Sequence, residues 1–266
     1  MDEQTALRER RRVNDTVGGG NVTKRRTLEL LVLGAGRGGT SLLAALLDSH
    51  PRVSVGFERH VKSTLLADSH QGHPDARAAA FLAACATEAV SSDTRIHGNK
   101  ITTEQLARLE DMAGFPQTPT PATLRMFFDE MLADCRFIFI LRDGRSCVRS
   151  KMARAGLDLE GACRRWRYAA GVYHFLARHP RALCLRYETL LTAPETELRR
   201  ACASLEVPYA PQMLDGTLHP RMNPDYRNAG FDAAKAGLDD VPEGCEAMLA
   251  AELERCGYAL RASARD

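Results

Sequence analysis

At 266 residues, with 44% hydrophobic and 26% charged residues, the chain has the make-up of a soluble globular protein with a sizeable core. No apolar run approaches the roughly 20 residues that a bilayer span needs, and residues 1–26 lack the apolar centre of a secretory leader. The net charge of +2 divides unevenly: residues 1–26 hold seven basic groups against four acids, +3, which leaves −1 for the rest and argues against a nucleic-acid partner.

Residues 1–26, with Gly18, Gly19 and Gly20 inside them, read as a flexible basic arm ahead of a single domain over 27–266. A strand is expected at 27–34, followed by a helix at 40–49, a short strand near 53–55 and a helix at 75–90. Next come a strand near 94–98, helices at 103–113 and 122–133, and the apolar run 136–141, which suits a strand covered on both faces. Helices at 144–155 and 159–178 precede a strand at 182–186 and a helix at 194–205. In the 159–178 segment Leu159, Cys163, Trp166, Ala170, Tyr173 and Leu176 share one apolar face, which places Trp166 in the core. Residues 206–243, with Pro208, Pro211, Pro220, Pro224 and Pro242, read as a long irregular region before a last helix at 243–256. Alternating strands and helices make a three-layer α/β fold, a central parallel sheet flanked by helices.

The eight cysteines run from Cys85 to Cys256 without a C-x-x-C pair, which points to free thiols in a reducing compartment and a cytoplasmic protein. His70 and His73 have no third ligand nearby in sequence, and no metal is expected.

The informative stretch is Gly34-Ala35-Gly36-Arg37-Gly38-Gly39, between a strand and a helix that opens on Thr40 and Ser41. A helix start presents unpaired N–H groups and about half a positive charge, so it cradles an anion. Three ligands fit these letters. G-x-G-x-x-G is the dinucleotide fingerprint, which wants an acidic residue about 20 positions on; Glu58 lies 24 after Gly34. The triphosphate loop G-x-x-x-x-G-K-[ST] is nearly met, but Thr40 stands in place of the lysine that reaches the β/γ-phosphates. In the third reading Arg37 is the charge of the loop.

That third reading extends along the chain. Arg37 to Leu43 resembles the 5′-phosphosulfate loop of sulfotransferases. Arg142-Asp143, followed by Ser150 eight residues after the arginine, resembles that family's 3′-phosphate motif, and Tyr187-Glu188-Thr189-Leu190 its downstream segment. Within the family the likeness runs to the tyrosylprotein sulfotransferases, through Leu47-Asp48-Ser49-His50-Pro51, Gly56 and Glu58, Gly98-Asn99-Lys100 and Arg142-Asp143-Gly144-Arg145. Phe57 and His60 depart from the glutamate and arginine of that group.

The resemblance implies a P-loop-type sulfotransferase fold. It also implies an enzyme that moves a sulfuryl group from 3′-phosphoadenosine-5′-phosphosulfate (PAPS) to a hydroxyl on a protein tyrosine, carbohydrate or small metabolite. The product is the desulfated nucleotide PAP, no metal is required, and a homodimer is compatible; the chain departs from the tyrosylprotein group in lacking its membrane anchor, and composition argues against a membrane or nucleic-acid partner. Glu58 is the expected general base, and Lys100 donates to the bridging oxygen. Arg37, Gly38, Gly39, Thr40 and Ser41 hold the 5′-phosphosulfate, Arg142 and Ser150 the 3′-phosphate, while Tyr187 lies near the adenine and Arg227 closes over the nucleotide. A helix beginning at Gly144 puts Ser150 nearly two turns in, so the glycine loop has to curl back to meet it. Plainer roles stand beside these: Glu58 paired with Arg59 or Lys62, Lys100 and Arg142 as solvated charges, and Glu188 as a helix-opening carboxylate. Two other functions fit the same scaffold, a small-molecule kinase and a non-catalytic nucleotide-binding module.

Overall fold

Five strands form one parallel sheet; four are largely apolar, whereas the third, expected near 94–98, runs Ile96-His97-Gly98-Asn99-Lys100. The computed structural model describes residues 28–86, 95–110, 112–227, 230–238 and 240–261; the basic arm at 1–26 lies outside them. β1 (Leu30–Gly34) leads through a tight turn into α1 (Thr40–Asp48), then β2 (Val53–Phe57), α2 (Pro74–Ala86), β3 (Ile96–Lys100) and the single-turn α3 (Thr103–Leu106). α4 (Pro121–Leu124), β4 (Arg136–Leu141), α5 (Gly144–Ala155), α6 (Leu159–Leu176) and β5 (Ala182–Arg186) follow. The chain closes with α7 (Tyr187–Thr192), α8 (Pro194–Ser204), the short α9 (Pro224–Arg227) and α10 (Cys245–Arg255).

The strand order is β2-β3-β1-β4-β5. Alternate side chains of β1, β4 and β5 enter two separate cores, as a period of two requires, whereas β2 and β3 feed only one of them. Leu31 and Leu33 of β1 join Phe137 and Phe139 of β4 and Trp166 of α6 on one face. Leu30 and Val32 join Ile138, Ile140 and the leucines of α1 and α8 on the other. The result is the three-layer arrangement expected from the alternation of elements, with Trp166 fully buried.

Strands 136–141 and 182–186 and the helix at 144–155 fall where the sequence places them. Two helices differ. The helix expected at 103–113 is α-helical only to Leu106 and then tightens into a 3-10 turn, Ala107–Glu110. A 3-10 turn eclipses residues three apart, which stacks buried Leu106 and Leu109 on one side. The helix expected at 122–133 widens after Leu124 into a π-helical segment, Arg125–Met131, closed by Leu132 N–H donating to Phe127 O at 3.2 Å. The wider turn lets the consecutive Phe127 and Phe128 both enter the core, edge to face at 5.2 Å.

The irregular reading of 206–243 holds in outline. It contains two 3-10 turns, Pro211–Leu218 and Ala233–Ala236, and the short α9. The helix α7, which the apolar pattern did not mark, starts as β5 ends.

Candidate active site

Strand register brings the distant motifs together. β1 and β4 pair with Gly34 beside Ile140, so the glycine loop and Arg142 leave the sheet side by side. β4 and β5 pair with Leu141 beside Arg186, which places Tyr187 next to Arg142. β2 and β3 pair with Phe57 beside Lys100, so the next residue, Glu58, meets that lysine. All of these lie at the carboxyl ends of parallel strands. Between β1 and β4 the strand order also reverses, the point at which open α/β sheets receive ligands.

The loop is a turn closed by Gly38 N–H donating to Ala35 O at 2.8 Å. Gly39 adopts φ 95° and caps α1, and a Cβ there would lie 2.4 Å from the Tyr187 ring, so both conformation and space demand glycine. Arg37 is left-handed at φ 69°, an uncommon state for a side-chain-bearing residue. Its Nε donates to Ser150 Oγ at 3.1 Å, so the loop does curl back to the second turn of α5.

Arg142 leans over the Tyr187 ring, guanidinium carbon 4.5 Å from its centre, and its Nη1 donates to Arg37 O at 3.1 Å. Nη2 reaches Lys235 O at 3.3 Å, while Nε is buried with no hydrogen-bond partner among the described residues. Such an orphan donor is costly and marks a place where a partner is missing. Trp166 Nε1 donates to Arg142 O at 3.0 Å and fixes the strand end from below. Burial raises the Tyr187 phenol above its usual range against the opposing pull of Arg142, and burial pushes the Cys147 thiol beneath the loop up to about 12.

Arg37, Arg142, Ser150 and Tyr187 wall one cavity of about 530 Å³, within the usual range for a small-molecule site. Its lining includes Arg37, Arg142, Arg149, Arg154 and Lys235 against a single acid, Asp240. Gly39, Thr40, Ser41, Ser150 and Tyr187, all expected from the sequence, also line it; Gly38, Glu58 and Lys100 do not. Arg149 and Arg154 were passed over; Arg154 lies four residues after Ser150, on the same helical face, and that spacing was the available signal. Lys235 comes from the irregular region, where no period points to it. Arg227 turns away from the expected role: its guanidinium bonds Met222 O and Pro220 O, tying down its own loop.

Glu58 sits in the left-handed region at φ 56°. Its carboxylate pairs with neither Arg59 nor Lys62: Oε1 accepts from Lys100 Nζ at 2.5 Å and Oε2 from Gln105 Nε2 at 2.7 Å. Gln105 Oε1 accepts Thr102 N–H at 2.9 Å, which fixes the amide so that its NH2 faces Glu58; sequence reading missed this residue. The Lys100 side chain is 4% exposed and so no solvated charge, whereas Glu58 remains 38% exposed and reachable. Glu188 accepts Asp143 N–H and the Tyr258 hydroxyl, a structural role at the start of α7.

Residues 29–211 match the family model described as the Sulfotransferase family. The chain belongs to the sulfotransferase family. The chain is 28% identical over 198 residues to the protein-tyrosine sulfotransferase of Drosophila melanogaster, covering 70% of the chain and 39% of that protein. It is 25% identical over 196 residues to protein-tyrosine sulfotransferase 1 of Danio rerio, covering 70% of the chain and 55% of that protein. The chain thus spans about half the length of the curated relatives it matches, or less. In fold it is similar to the sulfotransferase domain of the curacin biosynthetic pathway (TM-score 0.62, 18% identity, 90% of this chain and 100% of that one). The sulfotransferase domain of the Synechococcus PCC 7002 olefin synthase is also similar (TM-score 0.60, 18% identity, 92% and 100%). The architecture is the P-loop-type sulfotransferase fold that the motifs imply.

Proposed function

We propose that this chain transfers a sulfuryl group from PAPS to a hydroxyl acceptor. The observation that carries the reading is the strand-end cavity in which a phosphosulfate-type loop, Arg142 with its orphaned Nε, and Ser150 converge. A ligand carrying two separate anionic groups suits a wall with five cationic side chains and one carboxylate. The residues fit the nucleotide on this test. Arg37, Thr40, Ser41 and the N–H groups that open α1 would hold the 5′-phosphosulfate, and Arg142 and Ser150 the 3′-phosphate, with Tyr187 beside the base.

When bound, PAPS supplies an electrophilic sulfuryl group, whose sulfur bonds the acceptor oxygen as its link to the 5′-phosphate breaks. Glu58 receives the acceptor's proton through the exposed part of its carboxylate, while Gln105 keeps that carboxylate aimed. An ammonium has three donors, so Lys100 holds Glu58 with one and turns the others toward negative charge on the departing phosphate oxygen. Arg37 and the loop amides are fixed in place before reaction, so they stabilise that charge with little reorganisation. The relatives are named for protein tyrosine as acceptor; a phenolic or other hydroxyl is the class proposed here, with Phe57 and His60 as the departures at the acceptor side.

Calorimetric titration with PAP, ATP and NADH tests the donor assignment. PAP binding alone, or far tighter than the others, supports it; preference for ATP would favour a kinase. An acceptor screen with PAPS then separates an enzyme from a binding module.

A further inference from the structure

Glu104 and Lys151 belong to none of the motifs, yet they meet beneath the glycine loop. Glu104 lies in α3, four residues after Lys100, and Lys151 follows Ser150 on α5. The Lys151 ammonium is ion-paired with Glu104 Oε1, and Glu104 Oε2 accepts Gly36 N–H at 2.8 Å. The approach is close: a Cβ on Gly36 would lie 3.1 Å from both carboxylate oxygens.

A buried ion pair is weak evidence for stability, because desolvation offsets its attraction. This pair does something more specific, since it aims a fixed, charged acceptor at one backbone N–H. The residue after Gly36 is Arg37, held left-handed, whose guanidinium bonds the residue before Lys151. α5 therefore grips the turn twice, directly through Ser150 and Arg37 and indirectly through Lys151, Glu104 and Gly36.

We infer that Glu104 is a positioning residue for the loop. It engages the Gly36 N–H, which is thereby withdrawn from the amides left for an anion, and it fixes the backbone that presents Arg37. Lys151 holds the Glu104 carboxylate in place. The inference deepens the proposed function and rests on it, because this loop is the part assigned to the 5′-phosphosulfate.

Three variants separate positioning from simple cross-linking. Glu104→Gln keeps an oxygen for Gly36 but drops the ion pair, and Glu104→Ala removes both. The exchange Glu104→Lys with Lys151→Glu restores opposite charges but sets an ammonium, which cannot accept, against Gly36 N–H. The readouts are amide hydrogen exchange over residues 35–39 in the ligand-free protein, thermal midpoint, and PAP affinity. Glu104→Ala and the exchanged pair should speed exchange at the loop and weaken PAP about tenfold, equivalent to about 1.4 kcal/mol. Glu104→Gln should stay within about threefold of wild type, and the exchanged pair should recover thermal stability without recovering affinity. If the exchanged pair restores both slow exchange and PAP affinity, the residues only tie α3 to α5 and the inference fails. Should Glu104→Ala not fold, the other two variants decide. A wild-type protein that does not bind PAP overturns the proposed function instead, and the exchange rates still settle the role of Glu104.

Discussion

Lys100 Nζ rests 2.5 Å from Glu58 Oε1 because their strands pair with Phe57 beside Lys100. A carboxylate and a cation thus share one contact at the carboxyl ends of β2 and β3. Glu58→Gln preserves the size of the side chain and removes its capacity to take a proton. It should lower turnover with PAPS by about 10²–10⁴-fold while PAP affinity changes little. Steady-state rates and calorimetry read the two effects separately; near-normal turnover would remove Glu58 from the role of base.

Arg142 has one buried donor without a partner among the described residues and two that hold neighbouring carbonyls. Arg142→Ala should weaken PAP binding by about 1.5–3 kcal/mol, the usual worth of a hydrogen bond to a charged group. Adenosine 5′-phosphosulfate, which lacks the 3′-phosphate, should bind wild type and variant alike. Equal loss for both nucleotides would mean that Arg142 supports the loop and does not read the 3′-phosphate.

Gly39→Ala meets two obstacles, a positive φ and the Tyr187 ring. The strained backbone alone should cost on the order of 1–3 kcal/mol of stability. Tyr187→Ala clears the space but not the φ. The double variant should therefore recover only part of the lost stability in chemical denaturation, and full recovery would show that the clash was the whole effect.

On the far side of α6, His174 and His179 have pKa values below the ordinary histidine value of 6.5. Burial depresses both; Arg255 and Arg178 add to it for His174 and Arg181 for His179, against the pull of Asp129. The unfolded chain takes up these protons first, so stability is full above the unfolded value and falls as pH drops below about 6.5 toward the folded values. Thermal midpoints between about pH 7.5 and 5.5 should slope downward on acidification, less so for His174→Gln with His179→Gln. Identical slopes would exclude the histidines as the cause.

Most of the fold was legible because β1, β4 and β5 are short apolar runs separated by helix-period segments, and a parallel sheet buries both faces of such runs; β3, with His97, Asn99 and Lys100, lacks that signal and lies two residues beyond the expected position. The cavity was legible where its residues sit in local motifs: Arg37 to Ser41, Arg142 with Ser150, and Tyr187. What escaped was cross-sheet partnership. Gln105 and Glu104 follow Lys100 by only a few residues, but nothing local says that one faces Glu58 and the other Gly36. Those contacts exist only once strand order and register are set. Arg227 illustrates the converse, since a lone cation in an irregular loop has no period to fix its direction, and here it bonds the carbonyls of Met222 and Pro220.

Trp166, the chain's single tryptophan, donates its indole N–H to the carbonyl of Arg142. The protein thus carries one indole, whose long-wavelength absorption lets it be excited apart from the six tyrosines, attached to the strand end assigned to the 3′-phosphate. Its emission is a label-free optical gauge of that contact, with no second indole to blur the signal.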